Sequence, residues 1–450
     1  MIDQTPAPVP SPTSAAINEA SAVGGDALTP TGSLIVRTKV SAGYIWLLII
    51  ATLGSYAALV APIGISLSLR VQELAPDNVE LLGYVVGAGA IVAAVSQPLV
   101  GMWSDRMRSK LGRRRPFAIA GTIVGLIGLA FMAVAPDVVL LAAGWMVTQL
   151  GWATVLSSLL LSQADRLPEE QRGKVAGLSG FVQMIASVLG VGIASAFIGN
   201  NFLVFLVPGV LGAIALTFWV TLVKEPSSVD FVVEKKLTVA RALKDMVFSP
   251  KAHPDFAWNW LGRLFFMFGV TFSTTFTTLF FASRLSEGGQ VADIGGLIVI
   301  VSLISVLATA GGAILGGFLS DKLKRRRIFV LLAGLAYTLG AIVMALGGSD
   351  VTVLVAGSVA TSIGLGVFSA VDQAIVLDVL PERDTEAGRF MGINGYSTTL
   401  AQAIAPIVAA PLLLIGATGA DKNYALLFLV GAACTLIGGN LVMLFVRSAK

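Results

Sequence analysis

The 450-residue sequence predicts an all-α polytopic membrane protein, with twelve transmembrane helices in two pseudo-symmetric six-helix bundles. Three observations carry that prediction. Charged residues make up 12% of the chain and hydrophobic residues 56%, with a mean hydropathy of +0.86, whereas about a quarter of an ordinary soluble domain is charged. Apolar runs long enough to cross a hydrocarbon core of roughly 30 Å recur along the whole chain. A charged motif at 101–116 has a second copy displaced by 216 residues.

In chain order, residues 1–40 read as a disordered cytoplasmic tail, because they are rich in Pro, Ser, Ala and Thr and show no periodic apolar face. They lack the basic start, short apolar core and small-residue cleavage site of a secretory signal, so the first span is expected to serve as its own insertion signal. The spans themselves are expected at 43–69, 81–103, 117–135, 138–164, 175–198, 202–223, 256–283, 294–319, 328–347, 351–377, 390–416 and 424–446. A closed barrel is excluded, since these runs are too long and do not alternate as barrel strands must.

Lys and Arg accumulate on the cytoplasmic side of a membrane protein. With the N-terminus inside, 26 of the 30 Lys and Arg residues fall in cytoplasmic connections and tails. The outside connections hold only Arg70, Arg284 and Lys422, and Arg263 lies within a span. Both termini are therefore expected in the cytoplasm, with the chain in the cell (inner) membrane.

The motif "GMWSDRMRSKLGRRRP" follows the second span, and "GGFLSDKLKRRR" follows the eighth. Gly101, Ser104, Asp105 and Arg106 correspond to Gly317, Ser320, Asp321 and Lys322 at the offset of 216, and a basic triplet follows in each copy. A second pair links "ADRLPEEQRGKVAGLSG" to "LDVLPERDTEAGRFMGING", where Gly173, Gly177 and Gly180 match Gly388, Gly392 and Gly395 at an offset of 215. Two independent pairs at nearly one spacing imply a duplicated unit, with bundles over 41–223 and 256–446. A cytoplasmic linker over 224–255 joins them, and 447–450 form a tail. Both units begin on the same side, so the repeat is parallel.

The stretch 101–116 resembles the cytoplasmic loop signature of the major facilitator superfamily, Gly-x3-Asp-Arg-x4-Gly-Arg-Arg. The wider stretch "SQPLVGMWSDRMRSKLGRRRPFAIAG" resembles the glycoside-pentoside-hexuronide and sucrose-transporter branch. The superfamily resemblance covers nearly the whole chain after residue 40 and implies the major facilitator fold, with the first, fourth, seventh and tenth helices around a central cavity.

Charge alone would set topology, but it requires neither Gly101 nor Asp105 nor a second copy. The loop therefore reads as half of a cytoplasmic latch. Gly101 permits close helix approach, and Asp105 can face a helix N-terminus across the interface. The resemblance implies that Asp105 meets the start of the eleventh helix near Gly388 and Arg389. It likewise sets Asp321 against Gly173 and Lys174, and Arg106 against Asp165.

Only two ionisable residues of Asp, Glu, Lys, Arg or His type fall inside the spans, Arg263 and Asp372. A mid-bilayer charge costs about 2.5 to 3.5 kcal/mol, so each calls for a partner or a function. Their depths are similar, roughly 12 and 9 Å from the cytoplasmic ends at 1.5 Å per residue. They are expected to form a coupling or gating pair in which Asp372 takes up a proton once it loses Arg263. Snorkelling of Arg263 and a static ion pair are the alternatives.

Sugar sites combine aromatic platforms with amides and hydroxyls. The candidates on the expected cavity helices are Tyr56, Gln149, Trp152, Asn259, Trp260 and Gln373, with Asn394, Tyr396 and Gln402 on the eleventh helix. Trp and Tyr near span ends also serve as interface anchors. The expected function is alternating-access transport, led by proton-coupled uptake of a disaccharide-class sugar or glycoside. The resemblance disfavours sodium coupling, because sodium-coupled members of the melibiose type use acidic residues in the first two spans and this chain has none there.

The rivals are a proton-antiport exporter of drugs or metabolites, weakened because the Gly-Pro-rich fifth helix of such exporters has no Pro here, and a non-transporting membrane sensor. An enzyme is disfavoured, since no phosphate-binding loop and no nucleophile, base and orienter set is present. One Cys (Cys434) and one His (His253) supply neither a disulfide nor a Cys/His metal site. The expected partners are a small-molecule substrate, the proton and the lipid bilayer. No cofactor, metal or nucleic acid is expected, and the protein is expected to be a monomer.

Overall fold

A computed structural model of the chain describes residues 39–229, 248–382, 386–417 and 422–447. The tail expected before residue 39, the middle of the expected linker (230–247) and residues 448–450 lie outside the described residues. Twelve long helices account for nearly all of the rest. They are α1 (Ala42–Leu74), α2 (Leu81–Asp105), α3 (Arg115–Val134), α4 (Val138–Arg166), α5 (Glu169–Ser195) and α6 (Asn201–Leu222). After the linker come α7 (Pro254–Leu285), α8 (Gly295–Leu323), α9 (Arg326–Leu346), α10 (Val351–Val379), α11 (Ala387–Leu412) and α12 (Tyr424–Phe445). Among the described residues, 11 of these helices are long and apolar enough to cross a membrane. The twelfth, α11, spans 26 residues but carries Asn394, Tyr396, Ser397, Thr398, Thr399 and Gln402 in its middle.

Helix starts follow from capping chemistry. Asp137, Asn200, Asp350 and Asn423 each accept backbone N–H groups in the first turns of α4, α6, α10 and α12, satisfying donors that have no intrahelical partner. One irregularity sits inside α1, where Pro62 lacks an N–H and residues Pro62–Ser66 form a π-turn. That turn presents the Gly64 carbonyl to α7, where Thr278 Oγ1 donates to it at 2.7 Å.

Lipid offers no hydrophobic driving force between helices, so close approach depends on small residues. A Cβ at Gly212 of α6 would lie 2.7 Å from the Gly54 carbonyl of α1. In α12, one at Gly438 would lie 2.5 Å from the Gly262 carbonyl of α7. The same helix pairings, first with sixth and third with fourth, recur as α7 with α12 and α9 with α10. The duplication read from two motif pairs thus extends to the packing.

The two six-helix halves meet through α2 against α11, α5 against α8, and the middle of α1 against α7. Their closest contacts cluster at the face away from the termini. Gly83 and Gly87 of α2 abut the carbonyls of Pro406 and Ala403 in α11, and Gly295 abuts Ile198. Gln72 donates to Gly289 O at 2.7 Å and accepts from Val291 N at 2.9 Å. Lys422 closes this seal from the second half, with its ammonium 3.0 Å from Glu80 and donating to Asp77 O at 2.7 Å.

Candidate functional site

Between the halves lies a cavity of about 740 Å³, within the roughly 300 to 1,000 Å³ typical of small-molecule sites. Its walls come from α1, α2, α4 and α5 on one side and α7 and α11 on the other. Beyond the seal it runs toward the terminal face, where Gln163 and Ser179 line it. Its polar lining is made of amides and hydroxyls: Gln97, Gln149, Gln163, Gln183 and Gln402, with Tyr56 and several Ser and Thr. No Asp, Glu, Lys, Arg or His is among the lining residues.

Gln149 stands out within this lining. It is only 7% exposed, yet its side chain makes no hydrogen bond to protein among the described residues. Its amide end opens on the cavity, where it can bond to a water or a ligand. Gly89 of α2 leaves room for it, since a Cβ there would lie 2.9 Å from Gln149 Cγ and 2.2 Å from Trp145 Nε1.

Of the substrate candidates, Tyr56, Gln149 and Gln402 line the cavity. The others do not lie among its lining residues, because their helices turn them elsewhere. Trp152 is fully buried against Gly125 of α3. Trp260 donates to Ile393 O at 2.9 Å, tying α7 to α11. Gln373 is exposed on α10, Tyr396 is partly buried outside the lining, and Asn394 is buried with its amide oxygen unpartnered. Asn259 is fully buried and points at a carboxylate. An amphipathic period that weak does not reveal which face of each helix meets the cavity.

That carboxylate is Asp372. It is 0% exposed and paired with Arg263 Nη1, while Asn259 Nδ2 donates to its other oxygen at 3.4 Å. Arg263 Nε donates to Thr398 Oγ1 at 3.2 Å. The group therefore ties α7, α10 and α11 together one layer behind the cavity wall, next to Thr399, which lines it.

The loop motifs hold their charges within each half. Arg114 bridges Asp105 and Asp165 at 2.7 and 2.8 Å and also donates to Ser104 Oγ at 2.8 Å. Arg113 adds a contact of 3.1 Å to Asp165. In the second half Arg326 bridges Asp321 and Asp378 at 2.9 and 2.6 Å. Arg389 pairs with Glu386 of its own helix turn, and Lys322 lies over the Phe318 ring.

Among the described residues, Asp105, Asp165, Asp321 and Asp378 pair with cations of their own half. The basic triplet, rather than Arg106, supplies the cations on Asp165. Gly101 has open space where close helix approach was expected, and Gly317 faces Ala370 of its own half. Sequence reading missed Arg114, Arg326 and Asp378. The signal was present, since Arg114 and Arg326 are the middle residues of the two triplets, and Asp165 and Asp378 each follow the fourth span of their half.

The linker's first residues also fasten to this loop. Glu225 lies at the start of α3, within reach of the Arg114 and Arg115 backbone N–H groups, and Ser228 Oγ donates to Met107 O at 2.8 Å. Burial pushes the Glu225 carboxyl above its ordinary range, against the lowering effect of those N–H groups.

The family model described as Major Facilitator Superfamily matches residues 42–311 and 290–450. The chain is 35% identical over 98 residues to "Sucrose transport protein SUT4" of Oryza sativa subsp. indica, covering 21% of this chain and 14% of that protein. It is 42% identical over 53 residues to "General alpha-glucoside permease" of Schizosaccharomyces pombe, covering 12% and 10%. It is also 40% identical over 57 residues to "Proton-associated sugar transporter A" of Homo sapiens, covering 13% and 7%. These matches thus span a small part of each relative's length. Among solved structures, the nucleoside transporter NupG superposes with a TM-score of 0.72 at 13% identity, over 90% of this chain and 99% of that one.

Proposed function

Because the chain belongs to the major facilitator superfamily of transporters, we propose that it is a secondary carrier working by alternating access, and that it takes up a neutral sugar or glycoside of the disaccharide class together with protons. The observation that carries this reading is the cavity between the halves, which sets amides and hydroxyls among apolar side chains and has no Asp, Glu, Lys, Arg or His among its described lining residues. Transferring an unpaired charge into such a site is costly, whereas hydroxyl groups match its amides and hydroxyls. The local likeness to proteins described as sucrose, α-glucoside and proton-associated sugar transporters supports the same class.

In this reading the terminal face is cytoplasmic, as the bias of basic residues requires, and the conformation is closed outside and open inside. Asp105–Arg114–Asp165 and Asp321–Arg326–Asp378 are the resting arrangements of the two latch loops. Closing the cytoplasmic side transfers their carboxylates toward the start of the opposite half's α11 or α5. Arg263 and Asp372 couple this cycle to protons, through protonation of Asp372 and release of Arg263.

The test is a panel of radiolabelled neutral and charged sugars offered to vesicles with an imposed proton gradient. Accumulation of a neutral glycoside supports the reading. No sugar accumulation, with a dye expelled from cells making the protein, would replace it with export. Asp372→Asn is expected to abolish gradient-driven accumulation while retaining substrate exchange. Equal loss of both would reduce the pair to a structural role.

A further inference from the structure

We infer that Asn259 is a positioning residue for the proton: it holds protonated Asp372 in a carboxylic-acid–amide pair that takes the place of the ion pair with Arg263. This rests on the coupling role proposed for Asp372. It reassigns Asn259, which sequence reading grouped with substrate-binding side chains, to the proton.

An ionised carboxylate only accepts hydrogen bonds, so the amide group facing it must be the NH2. The geometry agrees, with Asn259 Nδ2 on Asp372 Oδ1 and Arg263 Nη1 on Oδ2. The other end of the amide is then stranded. Asn259 is 0% exposed, and its Oδ1 has no hydrogen-bond partner among the described residues. An orphaned buried acceptor is costly, and nothing in the ionised state supplies its donor.

Protonation supplies one. A proton from water bonds to Asp372 Oδ2, and the hydrogen bond from Arg263 Nη1 to that oxygen breaks. The new O–H donates to Asn259 Oδ1 while Asn259 Nδ2 keeps its bond to Asp372 Oδ1. The carboxyl is then neutral and paired at both oxygens, and the positive charge stays on Arg263. That side chain is 18% exposed and remains tethered to Thr398 through Nε.

The charged and titratable surroundings are sparse. From α7 only Arg263 faces Asp372, and on α10 itself Asp378 is committed to Arg326 of α9. Tyr337 of α9 donates to Val270 O at 3.5 Å, and α11 contributes Thr398 through Arg263. No second carboxylate among the described residues is placed to share the proton. The amide is the group positioned to accept from it.

The experiment compares the full-length protein with Asn259→Leu, which keeps much of the volume and removes both amide atoms. Proton-driven uptake of a transported glycoside is measured against pH in proteoliposomes. Loss of one hydrogen bond to the protonated form should move half-maximal uptake to lower pH by roughly half to one unit, with exchange at saturating substrate retained. An unshifted midpoint in a folded variant overturns the inference.

A second measurement does not depend on the variant. The infrared difference spectrum of the wild type between acid and neutral pH should show a hydrogen-bonded carboxylic-acid band, absent from Asp372→Asn, together with a change in an Asn side-chain carbonyl band. An acid band without the amide change also overturns the inference. If Asp372→Asn instead keeps gradient-driven accumulation, the coupling role itself fails, which is a different result from an unshifted Asn259→Leu midpoint.

Discussion

Neutralising Lys422 should drive the carrier toward its outward-open state. The Lys422 and Glu80 side chains are 5% and 8% exposed, and they come from opposite halves. In the proposed cycle their pair exists only while the outer face is closed. Removing one partner of a buried ion pair costs about 3 to 5 kcal/mol because the other charge stays buried and unpaired. In Lys422→Met that penalty falls on Glu80 in the closed state and is relieved when opening wets it. At 1.4 kcal/mol per tenfold, the inward-to-outward equilibrium shifts by about 10²- to several 10³-fold.

Glu80→Gln should shift it less, because Lys422 keeps its bond to the Asp77 carbonyl. The double variant Glu80→Gln/Lys422→Met should fall nearer the wild type than Lys422→Met does, since no charge is then stranded. The assay places a single reporter, Thr274→Cys, on the cavity wall in a Cys434→Ala background and labels it with an impermeant maleimide from the outer face. Lys422→Met should label many times faster than the unaltered pair. Unchanged labelling in a variant with an unaltered thermal transition would refute the argument that this pair holds the seal.

The remaining predictions are smaller in reach. Gln149→Ala should raise the KM for substrate roughly 2- to 13-fold with the melting temperature unchanged, because the amide loses a ligand hydrogen bond and no protein one. Arg114→Lys should lower the transport rate, since an ammonium cannot reproduce a planar fork that spans Asp105 and Asp165. Abundance in the membrane should stay near normal, as it should for Asp105→Asn. An unchanged transport rate in Asp105→Asn would remove the latch.

For Glu225, whose folded-state pKa is raised, the folded protein binds the proton more tightly than the unfolded chain. The carboxyl therefore weakens stability as pH rises from the ordinary carboxylate range through the raised value. Glu225→Gln should raise the melting temperature at pH 7.5 and lose that gain toward pH 4, as measured by thermal denaturation in detergent.

Where composition and spacing determine structure, the sequence was legible. Apolar runs set the helices because lipid leaves no other way to satisfy the backbone, and the offset motifs marked the duplication before any packing was visible. Arg263 and Asp372 could be paired from sequence because opposite charges at similar depth have few other partners in a membrane. The cavity wall was legible only in part. Tyr56, Gln149 and Gln402 face it, but Trp152 shares α4 with Gln149 and turns away, as does Asn259 on the cavity-lining α7. In helices that are apolar all round, a rotation of one or two residues changes the face without changing the pattern. The latch contacts were hidden for a different reason. In the proposed cycle one sequence serves more than one conformation, and the triads through Arg114 and Arg326 belong to the one observed.

The two halves differ in a way that bears on coupling. The first half contributes four of the five cavity glutamines, Gln97, Gln149, Gln163 and Gln183, and the second contributes Gln402. The second half alone holds the buried charge pair, and Asp372 has only Leu159 as its mate at the repeat offset of 213. In the proposed function, substrate and proton would thus engage different halves, with α11 connecting them. Thr398 holds Arg263, while its neighbours Thr399 and Gln402 face the cavity. At the outer face the same helix packs against α2 through Gly83 and Gly87. A change in the partner of Arg263 would therefore act on a helix that reaches both the cavity and the seal. Thr398→Val separates these roles, because it cuts the tether to Arg263 while leaving Thr399 and Gln402 in place. If α11 carries the coupling, this variant should bind substrate with near-normal affinity and accumulate less of it at a given proton gradient. Normal accumulation would place the coupling route elsewhere than α11.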